Sequence, residues 1–235
     1  MNTPIIEFKD LSYCFGEGNL RRQVLFSLTG KINAGEVVIV TGPSGSGKTT
    51  FLTLIGALRS LQEGSVKVLG RELYGAPPKV LREVRRNIGF IFQLHNLIDA
   101  LTAHQNLIMG LRLHPEIKSP SEAADNILNL VGLGDHVRKY PHQLSGGQRQ
   151  RVAIARALVI RPKVILADEP TASLDGKTGR VVVEQLHDLA TKQGSTVLLV
   201  TYDPRILDIA DRVLALEDGR FVGMTIREAG RTGLL

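Results

Sequence analysis

A chain of 235 residues can bury one good core with a lobe attached, and 43% hydrophobic and 22% charged residues are ordinary for a globular protein. The formal net charge of +6 is spread along the chain rather than blocked, which argues against a nucleic-acid surface, and the longest apolar runs fall far below the ~18–20 residues of a membrane span. Cys14 is the only cysteine and no signal-peptide pattern opens the chain, so a disulfide framework is excluded and a reducing cytoplasm is expected.

In chain order, Ile5–Phe8 and Val24–Ile32 read as strands, separated by the polar turn Gly16-Glu17-Gly18-Asn19. Glu36–Thr41 is a mostly apolar strand that runs straight into a glycine-rich loop, and Lys48–Arg59 has helical periodicity. Ser65–Leu69 and Ile88–Phe92 predict further short strands. From about Leu101 to Ile160 the pattern is helical, broken by Pro115, Pro120 and Pro141. Strands return at Val164–Ala167 and Thr196–Thr201, with the helix Gly179–Gln193 between them. Val213–Leu216 and Arg220–Met224 predict a closing hairpin around Asp218-Gly219. The expected architecture is an α/β core interrupted by a helical insertion, with extra sheet at its N-terminal edge.

The loop reads Gly42-Pro43-Ser44-Gly45-Ser46-Gly47-Lys48-Thr49-Thr50. Strand, Gly-x-x-x-x-Gly-Lys-Thr and helix together form a phosphate cradle. Small residues let backbone N–H groups turn toward phosphate oxygens, and the helix beginning near Gly47 adds its positive dipole end. Lys48 would reach the β- and γ-phosphates, and the Thr49 hydroxyl would ligate Mg²⁺. Val164–Ala167 then ends in Asp168-Glu169. Asp168 at a strand's C-terminal rim suits the metal, and Glu169, one residue on, suits polarising the attacking water. The two acids also fit a solvated turn.

Leu144-Ser145-Gly146-Gly147-Gln148 precedes a helix with one apolar face, Arg149–Leu158. A small hydroxyl and bare backbone at a helix start make an anion site. With this string the chain resembles the ATP-binding cassette (ABC) ATPases, because Leu144–Gln148 is similar to their signature sequence. The resemblance covers essentially the whole chain. It implies a P-loop NTPase (RecA-like) core with an antiparallel β subdomain and an inserted α-helical subdomain. The expected division is 1–92 with 162–220 for the core and β subdomain, about 93–161 for the helical subdomain, and a tail at 221–235.

The resemblance also implies roles. In a head-to-tail dimer, Ser145, Gly146, Gly147 and Gln148 of one subunit close on the γ-phosphate held by the other subunit's cradle. Tyr13 lies where the family carries an aromatic that stacks on adenine; Phe15 competes for that place, and Tyr13 also fits a packing role. Gln93 matches the glutamine that touches Mg²⁺ and water and links core to helical lobe. Ser173-Leu174-Asp175 matches the loop that crosses the dimer interface. The segment Leu94–Ile98 is either a groove for a membrane partner or core of the lobe.

Gly16–Gln23, Phe92–Leu97 and Ala167–Thr171 look closest to the MacB/LolD-like branch, and Arg205–Arg212 is similar to DevA-type exporter ATPases. This implies the motor subunit of an exporter or mechanotransmission system: a homodimer using ATP and Mg²⁺, bound to integral membrane permease subunits on the cytoplasmic face of the inner membrane, without nucleic acid. The competing classes are a soluble ABC ATPase of repair or translation type and a catalytically degenerate regulatory subunit. Against the first, about fifty residues separate Gln93 from Ser145 and no sustained heptads occur.

One position departs from the family. Where Thr-His-Asp is expected after the last core strand, the chain reads Thr201-Tyr202-Asp203. An imidazole donates at one nitrogen and accepts at the other; a phenol cannot reproduce that geometry. The expectation is ATP binding and dimerisation with slow hydrolysis.

Overall fold

Strand alternation sets the first sheet. In β1 (Pro4–Phe15), Ile6 and Phe8 point inward while Glu7 and Lys9 face out. The alternation slips at Asp10, whose φ is 50°, and a bulge between Phe8 and Leu11 lets the strand run on to Phe15. The expected strand end at Phe8 is therefore a kink rather than a stop.

The computed structural model describes residues 4–172, 174–228 and 231–234. It divides the chain into two compact units, one made of residues up to Arg85 and from Thr196 onward, the other of Arg86–Ser195.

In the first unit, β1 pairs antiparallel with β2 (Arg22–Asn33). On its other side β1 pairs antiparallel with β4 (Glu63–Val68), which is edged by the two-residue β5 (Arg71–Glu72). A second set of strands is centred on β3 (Val37–Thr41). It lies parallel between β8 (Thr196–Thr201) and β9 (Arg212–Glu217), with Val37 opposite Val197 and Thr41 opposite both Thr201 and Ala215. Val37–Val40 and all of β8 are buried, as continuous apolar runs in parallel strands require. Two antiparallel strands follow, β10 (Arg220–Glu228) and β11 (Arg231–Leu234). Helix α1 (Lys48–Ile55) leaves β3 through the glycine loop and stops at Gly56, short of the expected Arg59. Phe8 of β1, Phe51 of α1 and Phe221 of β10 meet with ring centroids 5.1–6.0 Å apart and join the two sheets. Helix α2 (Pro78–Arg86) has no counterpart in the elements expected from sequence; only Val84 of it is buried, so its apolar signal is thin.

The second unit holds β6 (Ile88–Ile91) parallel to β7 (Val164–Asp168), with Ile88 opposite Val164. Its helices are α3 (Ala103–Leu111), α4 (Pro120–Leu130), α5 (Gly146–Leu158) and α6 (Gly176–Gln193). Prolines punctuate them as expected: Pro120 opens α4 and Pro141 opens a 3₁₀ turn ahead of α5. Gly89 lets β6 approach α5, since a Cβ there would lie 2.5 Å from the Ala157 carbonyl oxygen. Among the described residues no helix is long and apolar enough to cross a membrane.

Candidate functional site

The phosphate loop is built by backbone packed against backbone. Gly42 sits at φ 152°, and a Cβ there would lie 1.9 Å from the Leu216 carbonyl oxygen, so no other residue fits. Gly47, at φ 102°, occupies the N-cap position of α1 without any side-chain cap, which leaves the helix's first N–H groups to the loop's concavity. Pro43, Ser44, Gly45 and Thr49 are exposed along its rim, and Thr50 is half-buried behind it. Lys48 is buried, and its Nζ donates to the carbonyl oxygens of Gly42 and Pro43 at 2.8 and 2.9 Å. The ammonium is thereby held over the loop. Ser46 Oγ is buried and has no hydrogen-bond partner among the described residues. An orphaned hydroxyl, a cation and uncapped N–H groups in one concavity fit a polyphosphate.

Beside the loop opens a cavity of about 660 Å³, lined by Phe15, Arg22, Phe26, Gly45, Asp218 and Arg220, among others. Of the two aromatics considered for the base, Phe15 is 38% exposed and lines this cavity, whereas Tyr13 is 8% exposed. Tyr13 instead packs its ring edge-on to Phe15 at 5.1 Å, and its hydroxyl lies 3.4 Å from Arg59 Nη1. The Arg59 guanidinium sits 4.8 Å from the Phe15 ring centroid, a cation–π contact. Arg59 is a residue that no motif singled out.

At the end of β8, Tyr202 is 58% exposed. The next residue, Asp203, donates to Thr201 on one side and accepts from Arg205 on the other. Its N–H donates to Thr201 Oγ1 at 3.0 Å, and its carboxylate takes Arg205 Nε and Nη2 at 2.8 and 2.7 Å. The Arg205 hydrogen bond holds the Asp203 carboxyl below its ordinary range. Tyr202 thus rides on a braced turn.

In the second unit, β7 is buried along its full length and delivers Asp168, itself buried. Glu169 follows with φ 47°, a left-handed conformation that a non-glycine residue adopts at a cost of ~1–3 kcal/mol. Its carboxylate therefore leaves the strand in a different direction from that of Asp168, and both acids are buried.

Gln93 lies exposed just beyond β6. The residues after it turn sharply, His95 at φ 63° and Asn96 at φ 47°. Arg156 of α5 grips this turn, donating from Nη2 to the His95 carbonyl at 2.8 Å and from Nη1 to the Asn96 carbonyl at 2.5 Å. Burial, and then the nearby Arg149 and Arg156 charges, push the His95 imidazole below its ordinary pKa. Leu94 stands out at 78% exposure and Ile98 is also exposed, so these two are surface, not lobe core.

Ser145 caps α5, accepting from Gln148 N at 3.2 Å while Gln148 Oε1 accepts from Ser145 N at 2.9 Å, a reciprocal capping box. Ser145 is exposed, with Gly146, Gly147 and Gln148 half-buried. Gly147 passes so near α6 that a Cβ would meet Thr178 Cγ2 at 2.9 Å. In the stretch expected to cross a dimer interface, Ser173 lies outside the described residues. Asp175 caps α6, accepting from Lys177 N and Thr178 N at 3.1 and 3.0 Å.

A sequence model of the family described as ABC transporter matches residues 25–172, more than half of the chain. The chain belongs to the ABC transporter family. This ABC cassette is 42% identical to the lipoprotein-releasing system ATP-binding protein LolD 2 of Rhodospirillum rubrum over 226 residues, covering 95% of this chain and 98% of that one. It is 40% identical to the macrolide export ATP-binding/permease protein MacB of Escherichia coli K12, covering 94% of this chain but 34% of MacB. The dimeric post-hydrolysis structure of the ATP-binding cassette MJ0796 bound to ADP and Pi matches with a TM-score of 0.88 and 36% identity, covering 95% of this chain and 99% of that chain. The cassette is an ATPase subunit of the LolD/MacB type with a P-loop NTPase fold, and ATP is its nucleotide.

The depressed His95 pKa yields a stability prediction. His95 binds its proton less readily folded than unfolded, so its contribution is present above the unfolded pKa of about 6.5 and is lost as pH falls below it. Thermal unfolding should show Tm dropping between about pH 7 and pH 5, and less steeply in His95→Asn, since asparagine tolerates the left-handed backbone. An unchanged slope in that variant would remove His95 as the source.

Proposed function

We propose that two copies of this chain close head to tail on two ATP molecules and drive the permease subunits of an exporter or mechanotransmission system of MacB/LolD type. The observation that carries this reading is that one chain presents both halves of a nucleotide clamp. The cradle Gly42–Thr50 is uncapped and cationic, while the turn Ser145–Gly147 offers an exposed hydroxyl and a helix start. The dimeric form of the 36% identical cassette MJ0796 supports the pairing.

Within the clamp, backbone N–H groups of Gly45, Gly47 and Lys48 orient the phosphates, and Lys48 moves from the loop carbonyls to the β- and γ-oxygens. Phe15 rather than Tyr13 supplies the stacking face for the base, because it alone of the two opens on the cavity. Mg²⁺, when bound, neutralises charge on the β- and γ-phosphates. By family resemblance Thr49, Gln93 and Asp168 would hold it, a sparse oxygen set of the sort Mg²⁺ accepts when phosphates and water complete its shell. Glu169 orients and polarises the attacking water.

Tyr202 takes the place of the histidine that would add a second contact to the γ-phosphate and water. Its exposure leaves the hydroxyl at the surface of the first unit, and the Asp203–Arg205 brace fixes the turn it sits on. Hydrolysis is accordingly slow, while binding and closure are not. The permease docks on the second unit, where exposed Leu94, Ile98, Met109 and Leu113 put apolar surface close to Gln93 in sequence. On this reading the chain sits at the cytoplasmic face of the inner membrane, held there by its partner.

Three outcomes check this reading. Sedimentation with Mg·ATP should show the chain doubling in mass and Lys48→Ala staying monomeric with an unchanged Tm; a dimer in that variant would free Lys48 of its role. Phe15→Ala should weaken ATP affinity by roughly 5- to 150-fold, the range of ~1–3 kcal/mol for base stacking, and Tyr13→Phe should leave it unaltered. The reverse pattern in a nucleotide titration would return the base to Tyr13. Steady-state phosphate release should rise by about 10²-fold in Tyr202→His; equal rates would refute slow hydrolysis.

A further inference from the structure

The signature turn is braced by a side chain from outside its own helix. A 3₁₀ turn, Gly134–His136, follows α4 and brings His136 against α5. There the Gln148 side chain makes two contacts: Oε1 accepts from Ser145 N at 2.9 Å, and Nε2 lies 2.9 Å from His136 Nε2. A backbone N–H can only donate, so Oε1 is fixed toward Ser145 and the amide nitrogen must face the imidazole. That nitrogen can only donate in turn, which makes His136 Nε2 an acceptor and puts the ring proton on Nδ1. His136 Nδ1 is buried and has no hydrogen-bond partner among the described residues. The fold therefore carries an unpaired N–H in order to leave Nε2 free to accept.

We propose that His136 is a positioning residue for the signature turn, acting through Gln148 on Ser145. The chain of contacts is His136 Nε2, Gln148 amide, Ser145 N–H, and it closes through Gln148 N, which donates to Ser145 Oγ at 3.2 Å. Without the imidazole, Gln148 keeps one anchor instead of two, and its amide is free to swing off the Ser145 N–H. On the other side the turn is tied by Arg149 Nη1, which donates to the Leu144 carbonyl at 2.6 Å, while Ser145 itself stays exposed. A small misplacement of a preorganised donor is costly in rate, whereas the fold loses one hydrogen bond. The proposal rests on the reading that Ser145–Gly147 closes on the ATP held by the partner copy.

The test uses the full chain with Mg·ATP. His136→Leu removes the acceptor at similar volume; it should lower kcat at least about tenfold, with ATP affinity of the monomer held within about twofold. His136→Gln places an amide oxygen near the former Nε2 and should restore kcat to within about twofold. Parent-like turnover in His136→Leu, or a His136→Gln variant as slow as His136→Leu, overturns the proposal. Nitrogen NMR of the unsubstituted chain gives a readout independent of any variant's folding: the Nδ1-protonated tautomer of His136 is expected, and an Nε2-protonated ring contradicts the geometry. Ser145→Ala separates the two levels. If it turns over like the parent, the reading of the signature turn fails; if it is slow while His136→Leu is not, only the role of His136 falls.

Discussion

Everything in the first unit is arranged around a place where two stretches of backbone nearly touch. With 1.9 Å between a hypothetical Cβ at position 42 and the Leu216 carbonyl, the loop after β3 can pass only as glycine. That passage forces the chain to curl and aims α1 at its own concavity. Gly219 repeats the device from the other side, at φ 73° and with its N–H donating to the Ser46 carbonyl at 3.1 Å. The β9–β10 turn is thus a wall of the phosphate loop as well as a hairpin end. Parallel pairing of β3 with β8 and β9 supplies the rigidity behind it, since all three are long-range neighbours joined by backbone hydrogen bonds.

The second unit solves a different problem, which is to hold short, strained turns at fixed places on a helical scaffold. Glu169, His95 and Asn96 all adopt left-handed backbone, which His and Asn tolerate better than Glu does. Each lies beside a residue assigned to the chemistry, Asp168 or Gln93. The strain is local and the restraints around it are strong, which is the pattern expected where geometry is kept for use rather than for stability. Helix α5 is the common anchor: its first turn is the capped signature, and Arg156 near its end holds the turn after Gln93.

Much of this was legible in the chain itself. Apolar runs ending in a glycine loop or in paired acids marked β3 and β7, because parallel strands buried on both faces leave no alternation to confuse them. Prolines marked the breaks among the helices. The extension of β1 past Asp10 was hidden by a bulge that shifts the inward phase, and α2 by its single buried residue. For the proposed base contact, the family resemblance puts Tyr13 first with Phe15 competing; burial favours Phe15 instead, and Arg59, which packs on its ring, has a place in space that no local pattern encodes. The same holds for Arg156 and His136, which act on residues 60 and 12 positions away. Long-range side-chain contacts leave no periodic trace.

The grip of Arg156 on the turn after Gln93 has a bearing on how such subunits diversify. The guanidinium holds carbonyl oxygens, which every residue possesses, and it makes no demand on the side chains of the residues it holds. If the proposed docking surface is used, Leu94 and Ile98, exposed on either side of that grip, could be exchanged for others that suit a different membrane protein while the link to α5 stays as it is. Under that proposal, partner choice and mechanical connection would be written in separate chemical alphabets, one of side chains and one of main chain.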